Sequence, residues 1–560
     1  MKFDGQITNN KLMCFNCEDS FESNNYVIGF YGRLNNKKDL IELLNMNTSS
    51  TDTEVVLECF IKYGESCLEK LDGCYSFAIY NKINNTLFLA KDRLGVKPLY
   101  YAKSNDSFIF STDIKDILKK YNVPAILGKN ELCEMLGLGP AHNPGKTFFK
   151  DIYEVEAGHY LFIKDNNIKD DIYWDLPNSK VIDNPSTCIN NIKKMVTDSL
   201  EQELENAPNI CCMLSGGLDS SILTKLTNYK IPKLQTFSIG FDNNEKDFVS
   251  NSYQPTKDSD YIQIMNDYLD NVHTSLSFNK TALLNSLKDV VIARGMPGMG
   301  DIDSSMFVFT KKIKELGFDT AISGECSDEI FMGYPWYYRE DLVNLDTFPW
   351  AKSIATRKSL INKDMVSTDD LEEYIKTAYE NTIENVKNED KQKQICYLTI
   401  KWFMNTLIER TERTAGINNL DVRIPFANYK IFEYVYNIPS NFKLGLIDDN
   451  NIPVEKYLLR KAFEDILPNE IVYRKKSPFP KTYDPEYTKL LEDEIGNIIR
   501  ASSSPLLEII DVPFLFELLN THGKYLKDNW FGQLMTYPQI LAYLIQINFW
   551  LTIFGVKIEI

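Results

Sequence analysis

A chain of 560 residues, 44% hydrophobic and 25% charged, has the make-up of a globular protein in water, and at roughly 150 residues per domain it allows two to four domains. Its net charge of −17, with no long Lys or Arg block, argues against a nucleic-acid surface. Eleven scattered cysteines, with only Cys14 and Cys17 in a CxxC, and four histidines far apart in the chain fit reduced thiols better than a disulfide framework or a metal centre.

The polar start MKFDGQITNNKLMCFNC has no apolar leader, so the expected compartment is the cytoplasm. Residues 1–178 read as β-rich. YVIGFYGRL, YSFAIYNK, NTLFLAKDR, SFIFSTD and HYLFIKD are short aromatic and β-branched runs broken by Asn, Asp and Gly. Between them TEVVLECFIKYGESCLEKL has the apolar spacing of a helix. Pro177 and Pro185, among Asn and Ser, mark a linker. From 188 onward strands alternate with helices: NICCML, a helix beginning near Ser220, LQTFSIGF, DYIQIMNDYL, FDTAISG. That rhythm predicts a doubly wound parallel sheet over 188–560, turning mostly helical after about residue 365. Near the end, YPQILAYLIQINFWLTIFGV is apolar but contains Gln539 and Gln546, so a buried core helix is expected rather than a membrane span.

The stretch CCMLSGGLDSSIL (211–223) carries the chemistry. A strand runs into two glycines and then a helix start, where unpaired N–H groups and the helix dipole favour an anion. By spacing alone it is either this cradle or a plain N-capped helix after a glycine turn. Asp219 repels a bare phosphate but suits a Mg²⁺ that bridges to one. A Walker A loop is excluded, since no Lys follows the glycines.

SGGLDSS resembles the pyrophosphate loop of the N-type ATP pyrophosphatases, and four further stretches are similar to the asparagine synthetase family. SGECSDEIFMGYPWYYRED (323–341) resembles its SGEGSDExFGGYPW segment. NNLDVRIPFANYKIFEYVYNIP (418–439) resembles LEVRxPFLDHxxVE, and KYLLRKAFEDILPNEIVYRKKSPFPKTYDP (456–485) resembles its LRKA…RKKxPFP tail. KDRLGVKPLYY (91–101) resembles its RDxxGxKPLYY. The resemblance implies an α/β plus α+β protein: a truncated Ntn-hydrolase-like glutamine-amidotransferase domain at 1–178 and a synthetase domain of the ATP-pyrophosphatase type at 188–560. It implies an ATP-dependent, AMP-forming ligase that adenylates a carboxylate and lets an amine attack. ATP would be held by Leu214, Ser215, Gly216, Gly217, Leu218, Asp219, Ser220, Ser221, Ile239, Ser323 and Gly324. Asp219 and Asp328 would hold Mg²⁺. Glu325 would accept the proton of the incoming amine, and Lys476 would stabilise charge at the α-phosphate.

The chain departs from the family in its first domain. There the family's nucleophile is a cysteine at position 2, where this sequence has Lys2. The family's Asn and Glu of the glutamine-seating segment correspond to Tyr31 and Arg33, and no HRGPD box is found. Loss of glutaminase activity is therefore expected, with what remains, including TDTE at 51–54, acting as scaffold. ERTAGI (412–417) stands where DRMSMA is usual and Met332 where a glycine is usual, near the expected acceptor pocket. Free ammonia on aspartate is one expected reaction. Joining a carboxylate to the amine of a larger or peptide substrate, as lasso-peptide cyclases and β-lactam synthetases do, is the alternative, and a non-catalytic regulatory paralogue is the third reading. Substrates are small molecules or peptides, with neither nucleic acid nor membrane as partner. The oligomeric state is left open, a homodimer being one form.

Overall fold

Strand Gly73–Asn81 explains why its sequence reads as an almost unbroken apolar run: it is buried on both faces. Tyr75, Phe77 and Ile79 point to Val55, Val56 and Cys59 of the helix Asp52–Tyr63. Ala78 and Tyr80 point the other way, into a core shared with Phe3, Ile7, Phe108 and Phe110. The computed structural model describes every residue except 1, 10, 18, 19, 24, 105, 166, 180, 182, 249–255, 447–452 and 502, and the side chains of 247 and 446. Its chain divides into two units: Met1–Glu131 with Asn143–Leu176 and Val556–Glu559, and Leu132–His142 with Pro177–Gly555 and Ile560. The division differs from a single break after 178, because 132–142 belongs to the second unit and the last strand to the first.

In the first unit a five-stranded and a six-stranded antiparallel sheet enclose one core, and helices cover the outer face of the larger sheet. TDTE (51–54) is a capping box. Thr51 Oγ1 accepts from the Glu54 N–H (3.2 Å), and Glu54 Oε2 accepts from the Thr51 N–H (2.7 Å). KDRLGVK is a structural knot. The Asp92 carboxylate accepts from the N–H groups of Tyr75, Leu94, Val96 and Lys97 at 3.0–3.2 Å. Arg93 donates to the carbonyls of Leu68 (2.9 Å) and Leu71 (2.6 Å), and Lys91 pairs with Glu154 at 2.7 Å. Lys2 pairs with Asp113 (2.9 Å), and the Tyr31 ring lies under Lys97, 5.0 Å from its Nζ. Strands Phe3–Thr8 and Lys11–Cys17 also form here, where the sequence reads only as polar.

The second unit is built on a five-stranded, all-parallel sheet of β1 (Ile210–Met213), β2 (Leu234–Phe241), β3 (Asn271–Phe278), β4 (Thr320–Ile322) and β5 (Asp421–Arg423). Their spatial order is β3-β2-β1-β4-β5. The order reverses between β1 and β4, and such a switch opens a crevice beyond the strands' carboxyl ends. Helix α1 (Leu218–Lys230) follows β1 and starts two residues before Ser220. Helices α2 (Lys280–Arg294), α3 (Asp301–Glu315), α4 (Asn405–Ile417) and α5 (Tyr537–Ile553) carry much of the remaining core. Most side chains of α5 are buried, which accounts for its apolar sequence. Gln546 is paired in that core, where its Oε1 accepts from the N–H groups of Gly298 and Gly300, both at 3.1 Å. No helix among the described residues is long and apolar enough to cross a membrane.

Candidate active site

Loops from β1 and β4 meet beyond the carboxyl edge of the sheet. After β1, Gly216 takes φ +68°, and a Cβ there would lie 2.8 Å from the backbone of Tyr261 and Ile262. Only glycine fits that turn. The Ser215 N–H donates to Ser220 Oγ (3.2 Å), Ser215 Oγ lies 3.0 Å from the same oxygen, and the Gly217 N–H donates to Ser215 Oγ (3.3 Å). The loop is thus folded back on the first turn of α1, at the positive end of that helix. Gly324, after β4, presses against the same turn: a Cβ on it would sit 2.9 Å from the Ser220 nitrogen.

Of the residues expected at the site, Leu214, Ser215, Gly217, Asp219, Ser220, Ile239, Ser323, Gly324, Glu325, Asp328 and Lys476 line one cleft. Gly216, Leu218 and Ser221 do not. Gly216 turns the chain, Leu218 is buried, and Ser221 Oγ is buried with no hydrogen-bond partner. The departure at 412–417 forms the last turns of α4, whereas the cleft receives Leu407 and Arg410 from the turns before it.

The charges at the centre form a connected set. Asp219 Oδ1 accepts from Ser327 Oγ (2.7 Å), and its Oδ2 pairs with Lys456 Nζ (2.5 Å). The same Nζ lies 2.6 Å from Asp328 Oδ1, and Lys476 Nζ lies 2.6 Å from Asp328 Oδ2. Burial opposes the Asp328 carboxylate, but the ammoniums of Lys456 and Lys476 outweigh it and hold its pKa at about 2. Burial opposes the Lys456 ammonium too, and the two carboxylates raise its pKa nonetheless. Asp219, in the first turn of α1, and Asp328, in the short helix Ser327–Ile330, share one cation; they are an all-oxygen donor pair of the kind Mg²⁺ takes, so the residues fit that ion. In this structure Lys456 Nζ is the cation between them.

Around this set, Glu325 accepts from the Arg410 guanidinium and from Thr411 Oγ1 (2.9 and 2.7 Å to its two oxygens), both on α4. Arg410 lies 4.8 Å over the Phe479 ring. Arg474 binds the Asp258 carboxylate, stacks 4.0 Å from the Tyr261 ring and donates to the Ser215 carbonyl (3.3 Å), which ties the 474–480 segment to the glycine loop. Glu329 is pushed up to about 7 by burial and by neighbouring Asp328, and it accepts from the Tyr334 hydroxyl at 2.6 Å. Sequence reasoning passed over Lys456, Arg474 and Arg410. The first two lie inside quoted motifs, but their spacing resembles any surface basic run. Cys326 (φ +69°) and Met332 (φ +59°) both hold left-handed backbone where the resembling segment has glycine. That conformation costs a side-chain-bearing residue roughly 1–2 kcal/mol, so the turn around Asp328 is kept against local preference.

A family model described as "Asparagine synthase" matches residues 191–552, and one described as "Glutamine amidotransferase domain" matches residues 19–174. Among curated proteins, the chain is 36% identical over 556 residues to "Asparagine synthetase [glutamine-hydrolyzing] 3" of Bacillus subtilis (strain 168), covering 96% of this chain and 89% of that one. It is 26% identical to "Asparagine synthetase [glutamine-hydrolyzing] 1" of the same organism, covering 91% and 84%. It is 25% identical to "Asparagine synthetase [glutamine-hydrolyzing]" of Gallus gallus, covering 80% and 71%. With a nucleotide-type crevice carrying this charge set and matches of this extent, the chain belongs to the asparagine synthase family and is an ATP-dependent C–N ligase.

Proposed function

We propose that the second unit adenylates a carboxylic acid with ATP and transfers the acyl group to ammonia or another amine, and that the first unit hydrolyses no glutamine. The observation that carries the ligase reading is the convergence of Asp219, Asp328, Lys456 and Lys476 beside the glycine loop in one cleft. On this reading Ser215–Ser220 and the start of α1 receive the phosphates, with Leu214, Ile239, Ser323 and Gly324 beside the nucleotide. Asp219 and Asp328 would hold Mg²⁺, which supplies charge neutralisation to the phosphates when bound. The acid's oxygen attacks the α-phosphorus, the bond to the β-phosphate oxygen breaks, and pyrophosphate leaves. Lys476 faces the negative charge that builds during this step. The amine then attacks the acyl carbon, the bond to AMP breaks, and Glu325 takes the amine's proton. Arg410 and Thr411 fix the orientation of the Glu325 carboxylate, as an acceptor needs.

The glutaminase part rests on Lys2, Tyr31 and Arg33 standing where the family has its nucleophile and glutamine-seating residues. It is tested by incubating enzyme, MgATP, acid and either glutamine or an ammonium salt. Amide and pyrophosphate should form with ammonium, and glutamate release should not exceed that of a no-enzyme control. Glutamate release above that control would overturn the glutaminase claim. Pyrophosphate formation with no acid, amine or ammonium dependence would overturn the ligase reading.

A further inference from the structure

Every carboxylate oxygen of Asp219 and Asp328 faces a protein donor. Asp219 Oδ1 accepts from Ser327 Oγ (2.7 Å), and Asp328 Oδ2 faces Lys476 Nζ (2.6 Å). The other two oxygens, Asp219 Oδ2 and Asp328 Oδ1, share Lys456 Nζ at 2.5 and 2.6 Å. Asp328 Oδ1 is the weak point of the set: it is buried, and its contact with the ammonium lacks hydrogen-bond alignment. Gly333 makes this packing possible, since a Cβ on it would fall 1.9 Å from Asp328 Oδ1 and 2.5 Å from Lys456 Cε.

The backbone under Lys456 is pinned. Lys456 takes φ +57° at the start of the helix Tyr457–Phe463. Glu455 beside it accepts from Arg460 (2.6 Å) and from the Lys476 N–H (3.0 Å). A flexible stem of methylenes separates that backbone from the ammonium, so the head can turn while the helix start stays in place.

An ion that bridges the two carboxylates meets this ammonium head-on. Mg²⁺ takes its oxygens at about 2.0–2.1 Å, and two cations on the same pair of oxygens repel each other strongly away from bulk water. The metal must therefore displace Lys456. The side chain of Lys456 is 4% exposed, and a buried ammonium stripped of its partners is costly. A metal ion alone offers it no anion in exchange. A nucleotide does, because Asp219 stands in the first turn of α1, beside the glycine loop that would receive the phosphates.

Resting on the ligase reading of this cleft, we infer that Lys456 competes with Mg²⁺ for Asp219 and Asp328, so that the ion enters with the nucleotide and not before it.

The probe is Mn²⁺ in place of Mg²⁺, its free ion counted by electron paramagnetic resonance in solutions of the full chain without nucleotide. Lys456→Met should bind Mn²⁺ about tenfold tighter than the wild type, since it removes a cation in contact with both ligands. In the double variant Lys456→Met/Asp219→Asn that gain should disappear. If Lys456→Met does not fold, Lys456→Gln also removes the charge, and its amide can donate to one of the carboxylates. Manganese binding no tighter in the folded variant than in the wild type overturns the inference, as does a gain that survives Asp219→Asn. Calorimetry of the wild type with a non-hydrolysable ATP analogue and Mg²⁺ judges the ligase reading separately: analogue binding leaves that reading standing, and its absence removes it, whatever the manganese result.

Discussion

The KDRLGVK charges of the first unit and the cleft charges of the second are buried in different ways. In the first, every buried charge named above is spent on the backbone or on a partner inside the core: Asp92 on four N–H groups, Arg93 on carbonyls, Lys91 on Glu154. In the second, Asp219, Asp328, Glu325 and Lys476 are paired, but they are paired along the wall of a cleft. A charge tied off in a core specifies a fold. A charge neutralised by a neighbour at a cleft can exchange that neighbour for a ligand. In the first unit the RDxxGxKPLYY-like motif has a structural role: Lys91, Asp92 and Arg93 hold loops together.

The largest expected effect breaks the cleft side. Asp219→Asn removes one of the two carboxylates that share Lys456, while Asn still fits the space. Pyrophosphate formation should fall on the order of 10³-fold, about 4 kcal/mol of barrier, with an unchanged circular-dichroism spectrum. A mutant within tenfold of wild type would remove Asp219 from the chemistry.

Next is the core side. Lys91 is 7% and Glu154 5% exposed, so Lys91→Met removes the ammonium that pairs with a buried carboxylate. Breaking such a pair costs about 3 kcal/mol or more. Denaturant unfolding followed by signals of the first unit should move accordingly. An unmoved midpoint would mean that the pair is solvated in solution.

Smaller in size, and sharper, is the split between two cleft residues. Lys476→Ala should lose labelled pyrophosphate exchange into ATP by about 100-fold, roughly 2.7 kcal/mol. Glu325→Gln should keep exchange and lose amide release, since a neutral amide cannot take the amine's proton. Equal loss of exchange in both would mean that Glu325 acts before or during adenylation.

Much of this was legible in the sequence because it depends on local pattern. The strands of the first unit show as β-branched and aromatic runs, and the turn at Gly216 shows as a glycine pair before a helix. Lys11–Cys17 was hidden because a half-exposed edge strand with Asn, Lys and Cys carries little apolar signal, and Phe3–Thr8 because Asp4, Gly5 and Gln6 interrupt its buried Phe3 and Ile7. Lys456 was hidden for a different reason. Its partners lie 237 and 128 positions away in sequence, and nothing in KYLLRKAF tells a lysine bridging two acids from one facing water.

The last prediction uses pH, where Asp328 and Asp92 should move in opposite directions. Asp328 is held at about 2, below the ordinary aspartate value, because its two lysines outweigh burial. Its contribution to folding is therefore fully present above about pH 4 and is lost as pH falls towards 2. The shift corresponds to about 2 kcal/mol. Glu409, in the same unit, is lowered as well: His142 and Arg294 outweigh its burial, so its term has the same sign. Asp92 is raised, because burial outweighs the N–H groups donated by Lys97, Val96 and Leu94. Its ionised form is the penalised one, so its penalty appears as pH rises above the unfolded value and is relieved as pH falls. Thermal midpoints of the second unit should thus drop between pH 4 and 2.5, and Asp328→Asn should flatten part of that slope, leaving the part due to Glu409. Asp92→Asn should instead steepen the acid loss of the first unit, because it removes a term that improves as pH falls. Slopes unchanged in both mutants would mean that these two carboxylates titrate alike in solution, and that the lysines beside Asp328 and the burial of Asp92 do not set their charge.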